Sequence, residues 1–302
     1  MSKQDTRSRD RHPDWLSRQL ERADWPNRQF SHLVRAGGLE WHVQRFGNLD
    51  APVCLLVHGT GASCHSYAGL VAQLASKWQV VVPDLPGHGF TRHTSTAQLT
   101  LPGMAKALAA LLSEMNTPPS IVAGHSAGTA ILLQMALDGH LRDVPVTGLN
   151  SALQQISGNS FLSPLAKMLF ANPLTPRLFS LQARFGGVTE RLLKATGSTI
   201  DAQSQACYAQ LLNTPRHVRG ALGMMAGWEL RPLVTRLNEI GQPVTLIAAM
   251  DDPMVPARVS EAAVRALSQG KFIPVPSGGH LLHEENPAAI AKLMQEPEKA
   301  AA

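Results

Sequence analysis

Ile121-Val122-Ala123-Gly124-His125-Ser126-Ala127-Gly128-Thr129-Ala130-Ile131 is the stretch on which the reading of the fold turns. A short apolar run of strand character leads into Gly-x-Ser-x-Gly, and apolar residues then recur every three or four positions over 126–138, as on a helix. A strand that turns straight into a helix on this motif pushes its serine into open space, poised as a nucleophile. The flanking glycines answer a steric need, because so tight a turn leaves no room for side chains two residues away on either side. The helix behind the serine aims backbone N–H groups at negative charge developing beside it. The same five residues in an isolated loop carry none of that meaning; the strand before and the helix after supply it.

Working outward, short apolar runs alternate with longer helical patterns, which is how a largely parallel sheet with crossover helices reads. Two opening strands are expected over 31–36 and 39–46, joined at Gly37-Gly38, followed by strands over 53–57, 80–82, 121–123, 146–149, 244–248 and 272–275. A helix is expected over 103–115 as well as over 126–138. From 153 to 235 the rhythm changes: no strong strand appears, Pro164, Pro173, Pro176 and Pro215 punctuate Leu-rich helical segments, and the stretch reads as a helical cap inserted between two sheet strands. The expected organisation is a polar arm over 1–30, a core in two parts over 31–152 and 236–295 with the cap between them, and an Ala-rich tail over 296–302.

The whole chain bounds the function. Its 302 residues bury a large core, and 44% hydrophobic with 16% charged residues describes an ordinary globular protein. The net charge of +5 is a mild excess, and the bases of the N-terminal stretch (Arg7, Arg9, Arg11, Arg18) alternate with acids (Asp5, Asp10, Asp14), as on a solvated arm. Aromatics at 5%, with no aromatic-and-basic ladder, argue against nucleic acid as a partner. The opening residues lack the apolar run of a signal peptide, no stretch approaches the roughly 18 apolar residues of a membrane span, and Cys54, Cys64 and Cys207 have no metal-ligand spacing; the expectation is a cytoplasmic protein without metal or cofactor.

A serine hydroxyl needs a base, so a histidine must stand elsewhere. Of twelve histidines, His280 has the best setting, in Pro276-Ser277-Gly278-Gly279-His280 just after an apolar strand, with Glu285 and Pro287 behind it. His283 is its near competitor and better suits a helix start. An orienting acid belongs at the end of the preceding strand, where Asp251 and Asp252 compete and point in opposite directions. Cys64 with His65 suggests a thiol nucleophile, but no elbow surrounds it.

Together these motifs resemble the α/β-hydrolase superfamily over about 31–292. That resemblance implies the chain order nucleophile, acid, histidine, and its Asp-x-x-Val-Pro pattern selects Asp252 over Asp251. His58-Gly59-Thr60-Gly61 is similar to the family's oxyanion loop, which implies the backbone N–H groups of Thr60 and Ala127 as oxyanion donors. Asp84-Leu85-Pro86-Gly87-His88-Gly89-Phe90 also belongs to the pattern, where its role is structural, so Asp84 and His88 are expected to support the fold.

A narrower likeness runs through Trp25-Pro26-Asn27-Arg28, Arg35 to Gly38, Trp41 to Gln44, His58 to Ser63, Thr196-Gly197-Ser198, His217-Val218, Gly220-Ala221-Leu222, Met224-Met225 and His283-Glu284-Glu285. These stretches resemble the α/β-hydrolase-type magnesium chelatase accessory family of bacteriochlorophyll biosynthesis; Cys64 and Tyr67 depart from its pattern. The likeness implies a role in placing magnesium in protoporphyrin, with a small-molecule ester or tetrapyrrole as substrate and magnesium chelatase subunits as partners. It supplies no reaction. The chain has no Gly-x4-Gly-Lys-Ser/Thr phosphate loop, so it is not read as an ATP-driven motor. Two functions follow: a serine hydrolase using Ser126, His280 and Asp252, or a non-catalytic tetrapyrrole-binding accessory. Dehalogenase or epoxide chemistry wants a carboxylate at the elbow, where Ser126 stands. In the cap, Met224, Met225 and Trp228 have helical spacing and pack in a core or line a pocket, with Leu165, Met168, Leu169 and Phe170 as further candidate walls.

Overall fold

The computed structural model describes residues 25–93, 95–154, 172, 174–185 and 187–295. Eight strands form one sheet: β1 (Ser31–Ala36), β2 (Leu39–Phe46), β3 (Val53–Val57), β4 (Gln79–Pro83), β5 (Pro119–His125), β6 (Val146–Leu149), β7 (Val244–Ala249) and β8 (Gly270–Val275). Their order is β1-β2-β4-β3-β5-β6-β7-β8, antiparallel at β1/β2 and β2/β4 and parallel from there on. Every strand expected from the sequence is present; β1, β2, β3 and β6 keep the expected bounds, and β4, β5, β7 and β8 are longer by one or two residues at an end.

The continuous apolar character of the inner strands has a direct cause, since both faces of the sheet are covered. Val53, Leu55 and Val57 of β3 enter one core, and Cys54 and Leu56 enter the other. The first core lies under α2 (Leu101–Glu114), α3 (Ala127–Leu137) and α9 (Arg258–Ala266), through residues such as Leu108, Ile131 and Val259. The second lies under α1 (Ala68–Leu74) and α11 (Pro287–Gln295), through Leu70, Leu74 and Ile290. Trp25 is buried in this second core, edge-on to Phe90 with ring centroids 5.0 Å apart, so the start of the described chain is part of the folded body; residues 1–24 of the expected arm and 296–302 of the expected tail lie outside the described residues.

Between β6 and β7 come helices: α4 (Thr175–Phe185), α5 (Val188–Ala195), α6 (Ala202–Leu212), α7 (Pro215–Gly227) and the short α8 (Arg231–Val234). The insertion is fastened to the loops at the carboxyl ends of the strands. Glu285, closing the short helix α10 (Leu282–Glu285), accepts from the hydroxyl of Ser198 at 3.1 Å and the N–H of Thr199 at 2.9 Å, and also from Gly279 N–H at 2.7 Å in its own loop. Gly220 of α7 lies so close to Gly87 that a Cβ on it would collide with the Gly87 carbonyl oxygen. The parallel register brings the ends of β3, β5, β7 and β8 to one edge of the sheet, the edge where open α/β sheets place their ligands.

Candidate active site

At that edge β5 ends at His125, α3 begins at Ala127, and Ser126 stands between them at φ 52°, ψ −116°. A residue with a side chain held at such a φ costs on the order of 1–3 kcal/mol and persists only where its surroundings fix it. Here they do. Ser126 N–H donates to Leu149 O at 2.9 Å, and its carbonyl accepts from Thr129 and Ala152 N–H, each at 3.2 Å. A Cβ on Gly124 would meet the backbone of Gly128 and Thr129 at 2.5 Å, and one on Gly128 would strike the carbonyl oxygen of Val57. Both glycines of the motif are therefore steric necessities. The Ser126 side chain is half-buried, and its hydroxyl has no hydrogen bond among the described residues.

The loops after β7 and β8 bring Asp252 to His280, with Nδ1 to Oδ2 at 2.8 Å. The other carboxylate oxygen of Asp252 accepts from Met254 and Val255 N–H at 2.8 and 3.1 Å, which fixes the acid's orientation. Its neighbour Asp251 faces solvent. The His280 backbone is clamped as well. Its N–H donates to Thr196 O at 2.8 Å, and its carbonyl accepts from His125 Nε2 at 2.8 Å and Asn150 Nδ2 at 2.9 Å. His125 is the residue just before Ser126, so one imidazole joins the serine turn to the histidine loop. His280 Nε2 has no partner among the described residues.

The loop after β3 completes the arrangement. A Cβ on Gly59 would lie 3.0 Å from that of Ser126, so the loop runs directly beside the serine. The N–H groups of Thr60 and Ala127 have no backbone acceptor among the described residues. His58 Nε2 accepts from Leu85 N–H at 2.9 Å, which leaves the proton on Nδ1, donated to Gly59 O at 2.8 Å. With no cis peptide in the described chain, that carbonyl and the Thr60 N–H of the same peptide group point in opposite directions. His217 of α7 makes a parallel span: its Nδ1 accepts from Gly89 N–H at 3.0 Å, and its Nε2 donates to Gly61 O at 3.1 Å. Thr60 Oγ1 donates to Met224 Sδ at 3.3 Å. His88 lies between these rings, 5.4 Å from His58 and 5.3 Å from His217. Burial lowers the basicity of all three, His217 to about 4, so each ring is a neutral imidazole with a set tautomer at neutral pH.

The other residues singled out by sequence fall in different places. Met224 is buried against the loop after β3, Met225 is 45% exposed, and Trp228 follows the end of α7, half-buried on the first core. Leu165, Met168, Leu169 and Phe170 lie outside the described residues. His283 is buried at the start of α10, bonded through Nε2 to Ser66 Oγ at 2.7 Å. Asp84 is wholly buried, accepting from Cys64 N–H and Phe90 N–H, each at 2.8 Å, and paired with His42 Nδ1 at 2.8 Å. His42, Cys64 and Asp84 are the one group among the described residues whose donor atoms fall within 4.8 Å of one another, close enough for an ion, but those atoms already bond to each other and to the surrounding backbone. Sequence reasoning passed over His125, Asn150 and the bridging role of His217. His125 is the variable position of the elbow motif, Asn150 a lone polar residue after a strand, and His217 stood out only through the narrower family likeness.

Comparison with known proteins agrees with this fold. Residues 52–287 match the family model for the alpha/beta hydrolase fold. The magnesium-chelatase 30 kDa subunit of Rhodobacter capsulatus is 44% identical over 268 residues, covering 87% of this chain and 92% of that protein. A pimeloyl-[acyl-carrier protein] methyl ester esterase of Xanthomonas oryzae pv. oryzae is 27% identical, covering 79% of this chain and 91% of its own. The crystal structure of a thermophilic esterase from Thermogutta terrifontis superposes with a TM-score of 0.68 at 21% identity, covering 89% of this chain and 98% of that one, a likeness of fold.

Proposed function

The chain belongs to the α/β-hydrolase fold family and, within it, to the family of the magnesium-chelatase 30 kDa subunit, and on that premise we propose that it is a serine hydrolase cleaving an ester or related acyl bond. The observation that carries this reading is the Asp252–His280 hydrogen bond at 2.8 Å, with Nε2 unengaged, on a loop tied through His125 to the strained Ser126. Ser126 Oγ attacks the substrate carbonyl carbon and its proton passes to His280 Nε2, while Asp252 holds the imidazole by Nδ1. The carbonyl oxygen gains the negative charge and sits against the N–H groups of Thr60 and Ala127. The C–O bond to the leaving alcohol breaks, and that oxygen takes the proton from His280. Water, deprotonated by the same nitrogen, then splits the acyl-serine and restores the enzyme.

The substrate reading follows from the relatives. One of them is named as a magnesium-chelatase subunit and another as a methyl ester esterase, which favours an ester-bearing tetrapyrrole, met in the company of chelatase subunits. Met224, Met225 and Trp228 are the described residues of the insertion proposed to meet it. The same subunit name supports a second reading, a tetrapyrrole-binding accessory in which Ser126 does no chemistry. A generic carboxylesterase is the third.

A fluorophosphonate probe separates them. Purified protein is expected to label at one site, and Ser126→Ala to abolish labelling. Magnesium protoporphyrin and its methyl ester are expected to slow the labelling and quench tryptophan fluorescence, less so in Trp228→Ala. Absence of labelling in the parent protein rejects the hydrolase. Free turnover of small esters with no tetrapyrrole competition leaves a generic esterase.

A further inference from the structure

The loop that carries Thr60 is held from two sides. The core holds it from below through His58, which spans from Leu85 N–H to Gly59 O. The insertion holds it from above, and two of its side chains do so: His217 spans from Gly89 N–H to Gly61 O, and Met224 Sδ accepts the Thr60 hydroxyl. His217 and Met224 lie seven residues apart on α7, two helical turns, and therefore on one face of the helix. Both are fully buried. The contact of Gly220 with Gly87 lets that face approach at backbone distance, and Gly220 lies between the two side chains in sequence. Gly61 itself adopts φ 79°, a conformation that tolerates no ordinary side chain, so the loop owes its shape to outside contacts more than to its own preference.

We infer that α7 positions the oxyanion donor, with His217 and Met224 as positioning residues, so that the insertion is part of the machinery that stabilises the transition state as well as a cover over the site. The inference rests on the hydrolase reading. Its physical content is that Thr60 N–H stabilises charge only when the Gly59–Thr60 peptide stands in one orientation. His58 sets the tilt of that peptide, and His217 sets the position of the peptide two bonds further along. Neither ring touches the substrate. Without His217 the Gly61 carbonyl loses its donor and Gly89 N–H its acceptor, and the loop is free to rotate the Thr60 N–H away.

The test uses the full-length protein with an activated short ester and an alkyl trifluoromethyl ketone, which adds Ser126 Oγ and places an oxyanion in the same donors. Removing one oxyanion donor typically costs about 10²–10³ in kcat, and displacing it rather than deleting it is expected to cost about 10–100-fold in His217→Leu. KM should stay within about twofold, because ground-state binding does not use the oxyanion donors. Ketone affinity should fall by the same factor as kcat. His217→Gln, whose carboxamide both accepts and donates, should recover most of the loss. Met224→Leu, close in volume, removes only the sulfur acceptor and should show the same pattern at a few-fold; it carries the test if His217→Leu does not fold. Wild-type kcat and ketone affinity in the folded His217→Leu or Met224→Leu protein overturn the inference alone. A fall in kcat with no fall in ketone affinity also overturns it. A parent protein that neither labels at Ser126 nor turns over ester overturns the hydrolase reading and this inference with it.

Discussion

Two Asp–His pairs sit at this edge of the sheet with the same hydrogen bond, Nδ1 to a carboxylate oxygen at 2.8 Å: His42 with Asp84, and His280 with Asp252. The first even has a thiol in reach, Cys64 Sγ lying 3.8 Å from His42 Nδ1. Judged by residue types alone, Cys64-His42-Asp84 is as good a nucleophile, base and acid as Ser126-His280-Asp252. What differs is access and spare capacity. Both side chains of the first pair are wholly buried, and the second ring nitrogen of His42 is engaged by Ser31 Oγ at 2.9 Å. The Cys64 thiol meets Nδ1, the nitrogen already bonded to Asp84. Burial pushes that thiol far above its ordinary range, so it is not a thiolate. In the second pair the imidazole is 10% exposed, and Nε2 is unengaged. The first pair is a joint between the turn at 84–90 and β2; the second is a joint with one open end, and the proposed reaction uses that end.

Breaking the open pair should have the largest effect. Asp252→Asn removes the acceptor that orients His280 and is expected to lower turnover of an activated ester by about 10⁴-fold with the fold intact. Asp251→Asn, on an exposed side chain, should stay near wild type; the opposite ranking in steady-state kinetics would reverse the assignment of the acid. Breaking the closed pair should be felt in stability instead. Asp84→Ala strands the N–H groups of Cys64 and Phe90 and leaves His42 unpaired in the interior, and should cost about 3–5 kcal/mol in urea unfolding. The protein that remains folded should still label at Ser126.

A third buried carboxylate sharpens the contrast. Burial would raise Asp84, yet the His42 charge and hydrogen bond outweigh it and hold the carboxyl well below the usual range. Glu284 is as deeply buried but takes its hydrogen bonds from hydroxyls, those of Ser66 and Tyr208 at 2.8 and 2.7 Å, with His283 Nε2 no nearer than 4.0 Å. Burial therefore prevails and raises it to about 7. Folding then takes up a proton that the unfolded chain has released. The contribution of Glu284 to stability should fall as pH rises from the ordinary Glu range to about 7, by at most ~1.4 kcal/mol per pH unit, and level off above. Glu284→Gln should remove that slope. The buried imidazoles act in the opposite sense: His65 and His283, lowered by burial to about 3, must gain protons on unfolding, so stability drops as pH falls below about 6.5. The two effects share one pH window, and the two imidazoles outweigh the one carboxyl, so chemical denaturation should show stability falling towards acid, more steeply in Glu284→Gln than in the parent. The smallest effect in this set belongs to Cys64→Ala, expected to cost about 1 kcal/mol and to leave turnover unchanged.

The sheet was legible because its inner strands, buried on both faces, are apolar without interruption, and because turn residues separate them; all eight appear where the runs lie. The site was legible where chemistry is compressed into short motifs, as at 124–128 and around His280. What stayed hidden depends on long separations. His125 reaches His280 across 155 positions and His217 reaches Gly61 across 156, and no local pattern marks either meeting. Met224 and Met225 show the same limit at short range. Adjacent on one helix, they diverge by roughly 100°, so one is sealed against Thr60 and the other faces solvent.

The backbone of Ser126 has a consequence for how such a protein tolerates change. At φ 52° a glycine would sit without penalty where serine does not. Ser126→Gly should therefore abolish labelling and yet match or exceed the parent in thermal stability, by up to about 1 kcal/mol. Mutational drift that selects only for a folded, abundant chain would then favour losing the hydroxyl. A serine kept at this position is maintained against the thermodynamic gradient of its own turn, and sequencing survivors of a library selected for stability alone, then for ester turnover, would show glycine entering at 126 under the first regime and disappearing under the second.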